Sequence, residues 1–165
     1  YGWTGEANTG RRMLAHDIAA GIVEREIKWG IRDLVVPGPA DSSIFDEENG
    51  NCIAEDMECE VLVDGDRHPG VTWEAADKSP GSRKQGWEQV RKRLKHAKKK
   101  RHEPREYPGL FIFKNRCVQF ERTVPSLPRD EKDPDDVDTE AEDHIGDEVR
   151  YRVRYDPGPV ARVWD

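Results

Sequence analysis

Cysteine is scarce in this chain and badly placed for crosslinking. Cys52, Cys59 and Cys117 are the only three, an odd number without a CxxC pair, which argues against a disulfide framework. Their separations also lack zinc-site spacing. A reducing, intracellular setting is therefore the better expectation. No run approaches the ~18 consecutive apolar residues of a membrane-spanning helix, and no signal peptide opens the chain, so no membrane partner is expected. There is no GxxxxGK[ST], which excludes a P-loop ATPase, and no GxSxG around any serine. His16, His68, His96 and His102 have no recognisable partners and read as surface histidines. An initiating Met is missing as well: the opening Tyr1-Gly2-Trp3 reads as the start of a piece excised from something longer.

What is present points to an ordinary folded chain. At 165 residues it is long enough for one domain that buries about 70% of its unfolded surface. Charged residues reach 37%, but five Trp, four Tyr and four Phe supply core anchors, which sets the chain apart from disordered sequences. The net charge of −7 conceals a segregation. Pro39 to Glu60 holds eight acidic residues and no Lys or Arg; Lys78 to Arg105 holds twelve Lys/Arg against Glu88 and Glu103. Arg129 to Glu148 then holds eleven Asp/Glu against Arg129 and Lys132. A protein that grips both metal cations and a polyanion needs that division, because carboxylates bind ions while Lys and Arg neutralise phosphates. The plain alternative is three surface faces that balance one another.

Periodicity predicts helices and strands in alternation. Arg11 to Trp29 reads as an amphipathic helix with Leu14, Ile18, Ile22 and Val23 on one face, Asn8-Thr9-Gly10 as its cap and Gly30 as its stop. Ile31 to Ala40 reads as a buried strand with Asp41 at its carboxyl end, Cys52 to Leu62 as a helix with Ile53, Met57 and Val61 inward, and Gly70 to Ala75 as a strand. Ser82 to Ala97 reads as a helix with Trp87, Val90 and Leu94 inward and its basic charge outward. Gly109 to Phe113 reads as the clearest strand, and Asn115 to Arg122 as a helical turn or two ending before Pro125. Asp138 to Tyr151 reads as a helix capped by Thr139, with Glu142 completing a capping box and Ala141, Ile145 and Val149 forming its apolar stripe. Alternating strands and helices argue an α/β sheet with helices on its faces.

Asp143 and Asp147 stand one turn apart on that last helix, with His144 beside them. Like charges at this spacing repel, and a bound hard cation would reverse the sign; the alternative is a solvated acidic face. In α/β sheets sites form at the carboxyl ends of strands, where Asp41 is expected, and two-metal sites draw carboxylates from separate elements. The Asp77-Lys78-Ser79-Pro80-Gly81-Ser82-Arg83 loop, leading into a helix, suits a phosphate contact; an ordinary capped turn is the alternative. Lys84, Arg91, Lys95 and the Lys98-Lys99-Lys100-Arg101 run extend the basic surface toward a nucleic-acid backbone.

These residues together resemble the nuclease domain of bacteriophage terminase large subunits. The resemblance is carried by Tyr1-Gly2-Trp3, the helix with Arg12-Met13 and Ile22, Pro39-Ala40-Asp41-Ser42-Ser43-Ile44-Phe45-Asp46, Ala76-Asp77-Lys78, Gly81-Ser82-Arg83 and Gly86-Trp87. Pro108 to Phe113, Arg122-Thr123-Val124-Pro125 and Asp136 through Tyr151 follow in consistent order, and the Asp-His-x-x-Asp-x-x-Arg-Tyr pattern from Asp143 to Tyr151 is the most specific part. The resemblance implies an α/β, ribonuclease-H-like mixed sheet flanked by helices, a nuclease module over 1–155 and a tail over 156–165. It implies double-stranded viral DNA as substrate, cut with two Mg2+ or Mn2+ ions, in the host cell cytoplasm during virus assembly. The terminase ATPase domain, small terminase subunit and portal protein would be its partners. Asp41 would match the second catalytic carboxylate and Asp147 the third, with Asp143 and His144 as auxiliary ligands or orienters. The first catalytic Asp of the family lies on an opening strand that would precede Tyr1, so little activity is expected of this stretch alone. The alternative is a catalytically silent ribonuclease-H-like module that grips DNA or docks on the portal.

Overall fold

The computed structural model describes residues 12–48, 50–100, 102–104 and 108–155. The fold is mixed α/β, and the described residues divide into two compact units, 12–76 and 77–155, where one domain is expected from the length. No helix among them is long and apolar enough to cross a membrane. The proposed cap at Asn8 to Gly10 and the tail from Asp156 lie outside the described residues.

In the first unit, α1 (Ala15–Lys28) lies against α2 (Ile53–Glu58) and strand β4 (Val61–Val63). Its inward stripe is Ala19, Val23 and Glu26, rotated from the expected one: Leu14 precedes the helix and is exposed, while Ile18 and Ile22 pack at the margin of the core. Glu26 tolerates burial because Arg32 Nη1 lies 2.6 Å from it, and Arg32 Nη2 donates to the carbonyls of Pro69 and Gly70. That anchoring explains why Arg32–Leu34 is a 3-10 turn rather than the start of a strand. Only Gly38–Ala40 (β1) is extended and paired; it runs parallel to β6 (Trp73–Ala75), and Leu34, Val35 and Val36 are exposed rather than buried. Gly30, at φ +66°, ends α1 as its position predicts.

Two-residue strands β2 (Glu47–Glu48) and β3 (Asn51–Cys52) lead into α2, which is shorter than expected. Ala54 and Met57 face inward while Ile53 is exposed. Val61 is buried as anticipated, but in a hairpin of β4 with β5 (Asp66–His68). The turn is Asp64-Gly65, both at positive φ, which is the sequence signature of a type I′ hairpin.

In the second unit, α3 (Ser82–Ala97) matches its expected bounds and buries Trp87 and Val90. It packs on α5 (His144–Arg154), with α4 (Val118–Thr123) also against α5. Trp87, Val90, Val137 and Val153 form the core, and Leu94, Leu110, Leu127 and Val149 pack around it. His96 is buried, not a surface histidine. Gly109 to Phe113 is no strand. The Leu110 N–H is taken by the Arg93 carbonyl of α3, so its side chain joins the core while Phe111 and Phe113 are exposed.

The last helix starts at His144, and Thr139 caps nothing. Asp138 accepts from the Glu140 N–H, and its carbonyl accepts from Ala141 N–H, so a local turn outcompetes helix there. With Ala141 outside the helix, the buried face is Gly146, Arg150, Tyr151 and Val153 instead of the expected stripe. Glycine at 146 is required by contact: a Cβ would stand 2.5 Å from the Trp87 ring and 2.9 Å from Leu127. Gly146→Ala is accordingly expected to lower stability by about 1–3 kcal/mol through overpacking. Gly38→Ala, whose Cβ meets nothing within 4 Å, should change it by no more than ~0.5 kcal/mol; urea melts of both variants check the contrast.

Candidate functional site

The polar centre of the second unit is built around Arg83, in the first turn of α3. Its Nε donates to both oxygens of Asp136, at 2.8 and 3.0 Å. Nη1 reaches Asp147 at 3.2 and 3.3 Å, and Nη2 reaches Asp143 at 3.1 Å. One planar guanidinium therefore spends all three nitrogens on three carboxylates, from the acidic loop (Asp136), the residue before α5 (Asp143) and the first turn of α5 (Asp147). Burial works against the Arg83 charge, but the hydrogen bonds to Asp143 and Asp136 and the charge of Asp147 outweigh it and hold its proton more firmly than usual.

A second guanidinium closes the cluster. Arg150, only 3% exposed, donates to Asp147 Oδ1 through Nε at 3.1 Å and pairs with Oδ2 through Nη2 at 3.0 Å. Its charge also lies over the Tyr151 ring, 4.5 Å from the centroid. The Asp-His-x-x-Asp-x-x-Arg-Tyr pattern thus has a physical content. Asp147 and Arg150 pair at i,i+3, Asp147 N–H donates to the Asp143 carbonyl at 2.8 Å, and Asp143 faces Arg83. His144 points outward, 67% exposed, with Nδ1 3.9 Å from Asp143 Oδ1.

Asp41 belongs to the other unit. It follows β1 directly and precedes the 3-10 turn Ser42–Phe45, and its Oδ1 accepts from Ser43 N–H at 2.9 Å. By donor chemistry Asp41, Asp143 and Asp147 suit hard ions such as Mg2+ or Mn2+, being oxygen ligands only. Among the described residues, however, no group of three or more His, Cys, Asp or Glu is disposed to hold a metal ion. Where Asp136, Asp143 and Asp147 converge, the cation in place is Arg83.

The expected DNA-binding residues fall into two sets. Arg83 and Lys84 are turned to carboxylates, Lys84 pairing with Asp133, and Arg91 donates to the Asp135 carbonyl at 3.5 Å. Lys95, Lys98 and Lys100 are exposed, with no ion-pair partner among the described residues, and Lys99 donates to the Pro104 carbonyl at 3.0 Å. Lys78 is exposed, and Arg101 lies outside the described residues. In the loop before α3, Asp77 accepts from Ser79 N–H at 2.8 Å and pairs with Arg154; Arg154 also donates to the Ser82 carbonyl and Gln85. Asp136, Arg150 and Arg154 were not anticipated. The signal for Arg150 was available, since Asp147-x-x-Arg150 is an i,i+3 ion-pair spacing.

Compared with known proteins, the chain matches no family model, no curated protein and no solved structure.

These ion pairs set an acid limit. Hydrogen bonds from Ser79, with Arg154 adding, hold Asp77 below the usual 3.8. The hydrogen bond from Lys84 and its charge do the same for Asp133. Carboxylates that release protons more readily when folded contribute stability that is complete above pH 3.8 and lost as pH falls below it. Lys84, raised above 10.5 by Asp133, contributes in the opposite sense: complete below that pH and lost as pH rises past it. Melting temperature should therefore fall below about pH 4, and less steeply in Asp77→Asn and Asp133→Asn than in the wild type.

Proposed function

We propose that the chain is a metal-dependent endonuclease module, ribonuclease-H-like in fold, of a viral DNA-packaging terminase, and that it cuts double-stranded DNA. The observation that supports this reading is that Asp136, Asp143 and Asp147 are all drawn to the Arg83 guanidinium beside the start of α5. Asp143 and Asp147 there belong to the pattern that resembles the terminase nucleases. In this reading Asp143 and Asp147 are among the groups that would hold Mg2+ or Mn2+, and Asp41 has the catalytic role that the resemblance implies. Bound ions of this kind lower the pKa of water and offset charge on a phosphodiester during in-line displacement.

The protein's own residues have separate tasks. Arg150, buried and forked onto Asp147, fixes that carboxylate's direction. His144, exposed next to Asp143, would orient a ligand or move a proton. Lys95, Lys98 and Lys100 hold the phosphate backbone without reading bases. The ATPase domain, the small terminase subunit and the portal would be partners by resemblance.

A second reading, a module that grips DNA without cutting, is favoured by one observation: the oxygens of Asp147 already face both Arg83 and Arg150. Plasmid nicking in Mg2+ or Mn2+ separates the two. Asp41→Asn and Asp147→Asn should each reduce nicking at least ~100-fold, on the scale of losing a group that acts in the transition state. Wild-type rates in both variants defeat the nuclease reading, and DNA binding without nicking in the unsubstituted protein supports the second.

Salt dependence tests the grip itself. Replacing Lys95, Lys98 and Lys100 with Gln should weaken duplex binding irrespective of sequence. Each replacement should shrink the slope of log affinity against log salt by about one, measured by fluorescence anisotropy.

A further inference from the structure

We infer that the end of α3 and the segment packed beside it form a surface for an unpaired DNA strand, with Phe111 and Phe113 stacking on bases and Lys95, Lys98, Lys100 and Lys114 contacting phosphates. Three of these lysines belong also to the DNA grip proposed above, on which the choice of DNA rests; the rings and the unpaired strand go beyond it. Local backbone contacts turn the rings outward. The Arg93 carbonyl, in the carboxyl-terminal half of α3, takes the Leu110 N–H at 3.2 Å. From that tie the chain alternates: Leu110 packs on the core, Phe111 is exposed, Ile112 is half-buried and Phe113 is exposed again. A Cβ on Gly109 would stand 2.7 Å from the Phe111 ring and 3.1 Å from the Cα of Ala97, so this ring lies over Gly109 beside the last residue of α3. Lys98 follows Ala97 directly, Lys95 is about one turn earlier, and Lys114 follows Phe113. All four lysines are exposed and have no ion-pair partner among the described residues.

Phe111 and Phe113 are 66% and 80% exposed, and so forgo the burial that Phe120 and Trp87 gain in the same unit. One apolar side chain in water is ordinary; two rings two residues apart, set among unpaired lysines, are a distinct chemical surface. Cores of protein–protein interfaces are rich in aromatics but poor in lysine. Aromatic rings interleaved with cations suit an unpaired strand, because every base has a flat face and every phosphate a charge. In a duplex those faces are covered by neighbouring base pairs, so the lysines can serve there but the rings cannot. The surface therefore distinguishes the two forms of DNA through its rings and holds both through its charge.

Fluorescence anisotropy of the full chain tests this in EDTA, where no cutting enters. The probes are a labelled oligo(dT) of about 20 nucleotides, longer than one site, and a duplex of the same length. Phe111→Ala and Phe113→Ala should each weaken oligo(dT) binding at least ~fivefold, on the scale of one lost stacking contact, while duplex affinity stays at the wild-type level. Stacking releases no counterions, so neither change should alter the slope of log affinity against log salt. Lys114→Gln should reduce that slope for oligo(dT) by about 0.7. Phe113→Trp keeps a stacking face and should bind oligo(dT) as the wild type does. Phe113→Leu keeps the apolar bulk without the flat face and should lose as much as Phe113→Ala, which keeps the test decisive if alanine there disturbs folding.

Wild-type oligo(dT) affinity in both alanine variants overturns the inference, as does full affinity in Phe113→Leu. So does an equal fall for oligo(dT) and duplex, the mark of a structural loss. Tighter binding of oligo(U) than of oligo(dT) defeats the assignment to DNA. If oligo(dT) does not bind and the rings instead govern self-association or binding to anionic vesicles, the surface is a protein or membrane contact and the inference falls. These results are separable from the fate of the nuclease reading. Oligo(dT) binding indifferent to the rings, in a protein that nicks plasmid, sinks only the stacking surface; ring-dependent binding in a protein that never nicks leaves it standing while the nuclease falls.

Discussion

The second unit depends on a single side chain taking up three negative charges. Asp136, Asp143 and Asp147 would repel one another if brought together alone, and each is partly withdrawn from water, with side-chain exposures of 19%, 10% and 23%. Arg83 makes their convergence tolerable because its donors are fixed in one plane at angles that a lysine cannot reproduce. Such a cluster adds little to net stability, since desolvating four charged groups offsets most of the attraction. It does select one arrangement: α3, the acidic loop and the start of α5 can satisfy those charges in few other ways.

The same pairing explains the alternation of acidic and basic blocks. α3 spends Arg83, Lys84 and Arg91 on the acidic loop and the start of α5. Lys95 near its end, and Lys98 and Lys100 just beyond it, are exposed without an ion-pair partner among the described residues. A count of charges along the chain therefore overstates the basic surface offered to a polyanion, since Arg83, Lys84 and Arg91 are already engaged. What is left is a compact group of lysines, enough for backbone contact that salt screens efficiently.

Tight packing supports the ion pairs from below. Gly86 and Gly146 stand where any Cβ would meet Arg150 or Trp87, so α3 and α5 approach closely enough for Arg83 and Arg150 to converge on Asp147. Arg154 adds a further tie from α5 to Ser82, Gln85 and Asp77. The glycines, the buried Trp87 and the arginines act as one device: the apolar contact sets the distance, and the polar contacts set the direction.

Much of this was legible in the chain. The bounds of α3, the stop at Gly30, Asp41 after a strand and the charge blocks follow from local chemistry: periodicity, a left-handed glycine, turn residues and composition. The Asp64-Gly65 hairpin is equally local, since Asp-Gly between two strands is a turn signature. Where α5 begins, which of its faces is buried, that Leu110–Phe113 forms no strand and that His96 is inside were decided by tertiary structure. In the first three cases a competitor outside the window of periodicity won: the Asp138 turn, the Trp87 ring, the Arg93 carbonyl. The partners of Arg83 lie furthest from sequence reading. A guanidinium on one helix and carboxylates more than fifty residues onward carry no mutual signal until packing brings them within three ångströms or so of each other.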